Sequence, residues 1–317
     1  MAGGRERELR HRIRSVQATK KITRAFELIA ASQIVRAQGR IAANRPYREG
    51  MSHIVVEAAE GDPAAAARFL SPPASPTQVG VLAIVGDRGL SGPYNAGVLR
   101  ATERLLADLA RRQATTHLFT VGKKAQSYFR FRGHPIEASF VGMSDRPTYA
   151  QAREVSLTLT TPFLHEDFDL VLLVSTRYLS AGRQTVEARR LLPLVDLSAP
   201  PAEGLWDPES VTGFKVGEET AAAEFRTGYT EFEPDFESLL GQLIPQAIES
   251  EVFTALLEAS ASEHTARQRA MAAATENADD LITTLSRIMN RERQDSITTE
   301  IMEIVGGAEA LRSSKGA

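Results

Sequence analysis

The sequence has 317 residues with a formal net charge of −3, and 43% of them are hydrophobic and 24% charged. These proportions are typical of a globular chain with a sizeable core and exclude an intrinsically disordered protein. Cysteine is absent, which excludes disulfides, thiolate metal sites and a cysteine nucleophile. The longest apolar runs are far shorter than the roughly 20 residues that cross a bilayer, and the N-terminus lacks the apolar stretch of a secretory signal. We therefore expect a protein of the cytosolic side with no membrane span.

Positive charge is concentrated at the start of the chain. Residues 1–50 hold twelve Lys and Arg against four Glu, a balance of +8 that leaves −11 for the remainder. A basic end on an acidic body favours a negatively charged partner, which could be nucleic acid, an anionic membrane surface or an acidic protein surface. Taken alone, a solvated helix face explains the pattern more simply.

A long helix is predicted over residues 1–60. Apolar or small residues recur there at intervals of three, four or seven, the spacing of one helix face, and Pro46 is expected to bend the helix. A second apolar stripe widens this face and predicts a second neighbour. It consists of Ile22, Phe26, Ile29 and Val35. The proline-rich run at 71–76 marks a linker over residues 61–78.

A central domain is predicted over residues 79–234. Four short runs rich in β-branched residues are predicted strands, at 79–85, 116–121, 136–141 and 170–175. Three helical patterns separate or follow them, at 95–112, 123–132 and 149–164. This alternation is typical of a layered α/β domain with a largely parallel sheet. Residues 189–195 are a candidate for a further strand, and residues 197–219, rich in Pro, Gly and acids, are predicted to form a long loop.

A second long helix is predicted over residues 235–317, because helical periodicity continues from Pro245 to Leu311 without another proline. Pro245 suits a first helical turn, and Gly306-Gly307 is expected to loosen the last turns. The predicted coiled-coil seam consists of Val252, Leu256, Ala259, Ala266, Ala270, Ala273, Leu281, Leu285 and Ile288, then Ile301, Ile304 or Val305, and Ala308. Two long helices at opposite ends of a chain can stabilise one another only by pairing, so an antiparallel two-helix coiled coil is the simplest geometry.

Residues 86–95, GDRGLSGPYN, follow a predicted strand and open onto a helix. Glycines in that context could offer backbone amides to a phosphate, but the spacing fits neither GxxxxGK[ST] nor GxGxxG. A tight structural turn is the better interpretation. The six histidines are scattered without metal-ligand spacing, and no GxSxG nucleophile motif is present. We therefore predict no catalytic, cofactor or metal site in this chain.

Four segments resemble signatures of the ATP synthase gamma subunit family. They are RIRSVQATKKITRAFELIAAS (12–32), DRGLSGPYN (87–95), SEHTARQRAMAAATENA (262–278) and RQDSITTEIMEIVGGAEAL (293–311), in the order of the family. The resemblance covers both termini strongly and the central domain more loosely. It implies an antiparallel coiled coil of the N- and C-terminal helices with a central Rossmann-like α/β domain.

The resemblance also implies a rotor shaft without a catalytic site of its own. In that family the coiled coil stands inside a ring of three alpha and three beta subunits, and its foot, with the epsilon subunit, sits on the c-ring of the membrane sector. Proton flow turns the shaft, whose asymmetry takes each beta subunit through its nucleotide states during ATP synthesis or hydrolysis. The implied location is the cytoplasmic face of the bacterial cell membrane, as a peripheral part of the complex.

Residue by residue, the resemblance implies rotary-coupling contacts with the beta subunit at nine positions. They are Lys21, Ile22, Thr23, Phe26, Glu27, Arg293, Gln294, Thr298 and Glu303. In the central-domain loop the matching positions are Asp87, Arg88, Gly89, Gly92 and Asn95. This sequence departs from the family at Phe26, where many members have methionine, and at Ser91 and Pro93, where cysteine and glycine are usual. An acidic partner surface would then account for the basic N-terminal helix.

The alternative is a coiled-coil adaptor whose basic N-terminal helix binds nucleic acid or an anionic membrane surface. Two observations weaken it: no aromatic residues are interleaved with the basic ones in a stacking pattern, and the C-terminal helix carries many acids. A third reading, an α/β enzyme with helical arms, lacks a catalytic set of residues. We expect no nucleic-acid partner.

Overall fold

A computed structural model describes residues 2–61, 69, 75–194 and 236–314. Most of the predicted linker at 61–78 and the whole predicted loop at 197–219 lie outside these residues. The chain divides into two compact units. Unit 1 contains residues 1–30 and 267–317, and unit 2 contains residues 31–266.

Two long helices bracket an α/β domain, as the sequence predicts. Helix α1 spans Ala2–Gly61 and helix α5 spans Phe236–Ser314. The elements between them are β1 (Gln78–Ile84), α2 (Tyr94–Arg111), β2 (Thr115–Val121), α3 (Lys123–Phe131), β3 (Ala138–Phe140), α4 (Tyr149–Leu164), β4 (Leu170–Tyr178) and β5 (Gln184–Leu192). In the part of the chain that the structure describes, no helix is both long and apolar enough to cross a membrane.

The five strands form one sheet in the order β3-β2-β1-β4-β5. The strands β3, β2, β1 and β4 run parallel to one another, and β5 runs antiparallel to β4. The largely parallel sheet is therefore confirmed. The further strand predicted at 189–195 begins earlier, because backbone hydrogen bonds between Ser180 and Arg183 close a tight turn that pairs Tyr178 with Gln184.

Both faces of the sheet are covered in unit 2, which explains why β1 is an almost continuous apolar run. Val79, Val81 and Ala83 face a core formed with α2 and α3. Leu82 and Ile84 face a second core, formed with α4 and with parts of α1 and α5. The helix α4 begins at a capping box, in which the Thr148 hydroxyl and the Gln151 side chain satisfy each other's backbone N–H groups.

One expectation about a helix end is wrong, because Pro245 lies well inside α5 and not in its first turn. Pro46, Pro245 and Gly306-Gly307 all lie inside continuous helix, and α5 begins nine residues before Pro245. A proline costs a helix about 3 kcal/mol and a glycine about 1 kcal/mol. Next to Pro245 the buried residues Ile244, Ala247 and Ile248 pack into the core. Their burial offsets that cost.

In unit 1, α1 and α5 pair antiparallel. Arg5 contacts Glu292, Lys20 contacts Asp279, and the hydroxyls of Thr23 and Thr275 lie 2.8 Å apart. In these pairs the residue number decreases along α5 as it increases along α1, so the predicted antiparallel coiled coil is confirmed within this unit. In unit 2 the two helices pair in the same sense, since Asn44 bonds to Thr254 and Arg48 to Glu251.

The predicted seam of α5 is correct in unit 2 but wrong in much of unit 1. Val252, Leu256 and Ala259 are buried, whereas Ala273, Leu281 and Ile288 are exposed. The predicted seam positions Ile301, Ile304 and Val305 are exposed as well. The buried line in unit 1 runs through Met271, Thr275, Ala278 and Leu285. This line keeps the heptad spacing but includes a threonine, which an apolar pattern search passes over.

Candidate functional site

The loop after β1 lies where a doubly wound sheet would bind a ligand. β2 lies on one side of β1 and β4 on the other, so the strand order reverses there. Ligands of such folds bind beyond the carboxyl ends of the strands at this switch point. Residues 86–95 are therefore the first place to test for a ligand site in unit 2.

Asp87 fills the position at which a phosphate would meet a helix N-terminus. Its Oδ1 accepts hydrogen bonds from the backbone N–H groups of Lys123 and Gly142, both at 3.0 Å, and its Oδ2 accepts one from Ser144 at 3.1 Å. Burial disfavours the carboxylate, but these hydrogen bonds outweigh it and hold the pKa of Asp87 below its ordinary value. The N-terminus of α3 thus has an anion supplied by its own chain.

Asn95 and close packing complete the loop. The Asn95 side chain accepts from the Gly86 N–H at 2.8 Å and donates to the Ser91 hydroxyl at 3.2 Å. A Cβ on Gly86 would lie 2.7 Å from the carboxyl carbon of Glu263 on α5, so a larger residue here would require the Glu263 carboxylate to move. These contacts favour the interpretation of the loop as a structural turn.

The other loop residues named from the sequence have different surroundings. Arg88 and Gly92 are exposed, and Gly92 has a positive φ of 54°. Gly89 is half-buried, with the Lys124 side chain 4.0 Å from the position of a Cβ. Asp87 and Asn95 therefore hold the loop together, while Arg88 remains available at the surface.

Sequence reasoning missed a second contact at this end of the sheet. Ser260 on α5 donates to the Asp145 carbonyl at 3.0 Å, and Nε2 of His264 lies 3.3 Å from the same oxygen. Both side chains are buried. The signal available in the sequence was the group of small polar residues near His264, because small side chains on a helix permit a loop to approach it closely.

On α1, three of the five predicted contact residues lie at the surface of unit 1. Lys21 is exposed, and Ile22 and Phe26 are 57% and 39% exposed. Ile22 and Phe26 are four residues apart and share one helix face. Thr23 instead lies in the seam and bonds to Thr275. Glu27 is half-buried and accepts two hydrogen bonds from Arg24.

On α5, all four predicted contact residues are exposed: Arg293, Gln294, Thr298 and Glu303. The Thr298 hydroxyl donates to the Gln294 carbonyl within the helix. Because Arg5 already lies opposite Glu292, the antiparallel register carries the following turns of α5 past the N-terminal end of α1. These turns expose the large apolar side chains Ile297, Ile301, Met302, Ile304 and Val305.

We call residues 293–305 the α5 tip. An exposed apolar cluster of this kind marks an interaction surface. Across residues 2–61, 75–194 and 236–314, no three or more His, Asp or Glu side chains gather where they could hold a metal ion.

Comparison with known proteins gives the family. A family model described as ATP synthase matches residues 5–311. The ATP synthase gamma chain of a Parafrankia species is 42% identical over 98% of this chain and 99% of its own length. That of Mycolicibacterium smegmatis is 43% identical over 98% of each.

This chain belongs to the ATP synthase gamma chain family. Solved structures share the fold of this gamma chain at lower identity. The match to the Euglena gracilis mitochondrial ATP synthase in its OSCP/F1/c-ring assembly has a TM-score of 0.65 and 17% identity, and covers 99% of this chain and 97% of the other. The match to the rotor of the same enzyme has a TM-score of 0.59 and 16% identity, and covers 93% and 99%. The predicted fold class and family are confirmed.

Proposed function

We propose that this chain is the central-stalk rotor of an ATP synthase, turning within an alpha3-beta3 ring and coupling proton flow through the c-ring to ATP synthesis or hydrolysis. The observation that carries the proposal is the α5 tip, with its exposed Ile301, Met302 and Ile304, in a chain of the gamma family. Exposed isoleucines and methionine on one helix need an apolar partner surface. The surrounding subunit ring provides one.

The exposed polar residues of unit 1 would add contacts with the surrounding subunits, and these contacts would change with the rotational angle of the shaft. Arg293 offers a planar set of donors, and Gln294 offers both a donor and an acceptor. Lys21, Ile22 and Phe26 form a separate exposed face on α1. A ligand shifts a conformational equilibrium only through contacts that differ between states. An asymmetric shaft supplies such differences to the three beta subunits in turn.

The remaining assignments follow the same proposal. The chain has no catalytic site of its own, and it contacts the epsilon subunit and the c-ring through unit 2. It lies at the cytoplasmic face of the bacterial membrane as a peripheral part of the complex. Two structural relatives support this arrangement, one being the central stalk and c-ring of the Tetrahymena thermophila mitochondrial ATP synthase and the other the rotor of the Euglena gracilis enzyme.

The charge pairing of α1 favours a protein partner over nucleic acid. Arg5 and Lys20 pair with acids of α5, and Arg24 pairs with Glu27. These cations are therefore partly neutralised within the chain, which weakens the phosphate-binding alternative.

The test is reconstitution with an alpha-beta ring that lacks its gamma subunit. We expect one copy per six ring subunits and a rise in ATP hydrolysis, with none from the chain alone. Ile301→Asp should weaken assembly, since it places a charge in the apolar contact of the α5 tip. Leu157→Asp, at a similarly exposed leucine of α4 (47% against 55%), is the matched control and should assemble normally. Hydrolysis by the chain alone, or normal assembly of Ile301→Asp, would contradict the proposal.

A further inference from the structure

Six charged side chains meet in unit 2 where the two long helices lie against the edge of the sheet. We call this group the charged cluster. It consists of Arg48 on α1, Arg177 on β4, Glu187 and Arg189 on β5, and Glu251 and Glu258 on α5. Three positive and three negative groups make it formally neutral.

Glu251 is the centre of the charged cluster. Its side chain is only 4% exposed. One oxygen lies 2.5 Å from Nε of Arg48, and the other lies 3.1 Å from Nη1 of Arg189. A single buried carboxylate thus joins α1, α5 and β5.

Two further carboxylates surround this centre. The carboxylate oxygens of Glu187 lie 4.0 Å from Nε of Arg189 and 4.0 Å from Nη1 of Arg177. Glu258 follows Glu251 by seven residues and so lies on the same face of α5. Burial raises the pKa of Glu187 and of Glu258 above the ordinary value, although Arg189, Arg177 and Arg48 act in the opposite direction. These groups are therefore held in an environment that is costly for charge.

Stability alone does not explain such a cluster. Buried ion pairs often add little net stability, because desolvation offsets their attraction, and apolar replacements can be neutral or stabilising. The helix α5 already packs on the sheet core through Val252, Leu256 and Ala259. Apolar contact is non-directional, whereas a carboxylate that bonds to arginines on two other elements fixes their relative positions.

We propose that the charged cluster fixes the rotational position of the paired helices against the sheet in unit 2, so that torque on the α/β domain passes into α1 and α5 without slip. This inference rests on the proposed rotor function. Arg48, Arg189 and Glu251 are positioning residues for rotary coupling, and they act on the helices that carry the partner contacts.

The experiment measures the torsional stiffness of the rotor in the assembled complex. Because the chain has no cysteine, Arg111→Cys, at a position 76% exposed on α2, provides one attachment point for a bead. The test variant combines Arg48→Met, Arg189→Met and Glu251→Leu. The matched control makes the same replacements at exposed positions, as Arg45→Met, Arg130→Met and Glu49→Leu.

With the ring immobilised and catalysis stalled, we expect the angular variance of the bead to rise at least twofold in the test variant. The control should match the unsubstituted chain. The test variant leaves Glu187 and Glu258 with Arg177 alone, so its thermal midpoint should fall. In the assembled complex its ATP hydrolysis should stay within twofold while ATP-driven proton pumping decreases. A purely stabilising role would change the midpoint and leave the variance per assembled complex unchanged.

An unchanged variance in the assembled test variant would overturn the inference. If the triple variant does not assemble, Glu251→Gln keeps the shape and removes the charge, and an unchanged variance there would also overturn it. Failure of the proposed function gives a different result, since the unsubstituted chain itself would then neither assemble nor turn.

Discussion

Replacing Asp87 by asparagine tests whether the negative charge of the Asp87 carboxylate stabilises the loop after β1. The carboxylate accepts three backbone N–H hydrogen bonds, two at Oδ1 and one at Oδ2. Asparagine can keep the Oδ1 bonds as neutral ones, but its NH₂ group would face the Ser144 N–H. Losing one charged hydrogen bond and weakening two should cost about 3 kcal/mol. For a domain of this size, that lowers Tm by about 6–12 °C.

Thermal unfolding followed by circular dichroism at neutral pH measures this change. Asp167→Asn is the matched control, because Asp167 is exposed in the turn before β4. The pKa of Asp87 is depressed in the folded state, so its contribution is present above the unfolded pKa and is lost as the pH falls. The difference in Tm should therefore be full above about pH 5 and shrink below about pH 4. A decrease under about 2 °C at neutral pH would refute the reasoning.

Three further substitutions test particular contacts. Thr23→Val should lower the free energy of unfolding by about 1 kcal/mol. Adding Thr275→Val should recover part of this loss, because both partners of the buried hydroxyl pair are then apolar. A double-mutant cycle in denaturant measures this coupling. Gly122→Ala should lower the free energy of unfolding by at least about 3 kcal/mol, since a Cβ would lie 2.2 Å from the Val85 carbonyl oxygen at a φ of 97°. Arg190→Met should raise Tm by a few degrees: burial lowers the pKa of Arg190 to about 10, and its Nε and Nη1 have no hydrogen-bond partner among the described residues. An unchanged or lower Tm for Arg190→Met would show that its charge is compensated.

Much of the fold follows from local patterns in the sequence. The alternation of β-branched runs and helical stretches is decided by neighbouring residues, so the strand at 170–175 and the helix at 149–164 appear close to their predicted positions. The two long terminal helices are also local in origin. Their pairing register is not, because it depends on which side chains meet across the seam. The buried Thr23 and Thr275 pair could not be recognised from either helix alone.

The candidate site divides in the same way. The resemblance identified Asp87 and Asn95 as loop positions, but the role of Asp87 depends on Gly142 and Ser144, more than fifty residues away. The charged cluster is still less local, since Arg48 and Glu251 are separated by 203 residues. A charge in a sequence is normally read as solvated, and only the tertiary structure shows that these charges are buried.

The carboxylate of Asp87 has a consequence for how this gamma chain behaves in a living cell. A doubly wound domain that needed a free nucleotide or phosphate to order its loops would soften whenever that solute became scarce, because bound ligand stabilises by mass action. Here the anion is covalently part of the chain and its effective concentration never changes. The order of these loops therefore does not depend on the cellular level of ATP, which is the product of an ATP synthase.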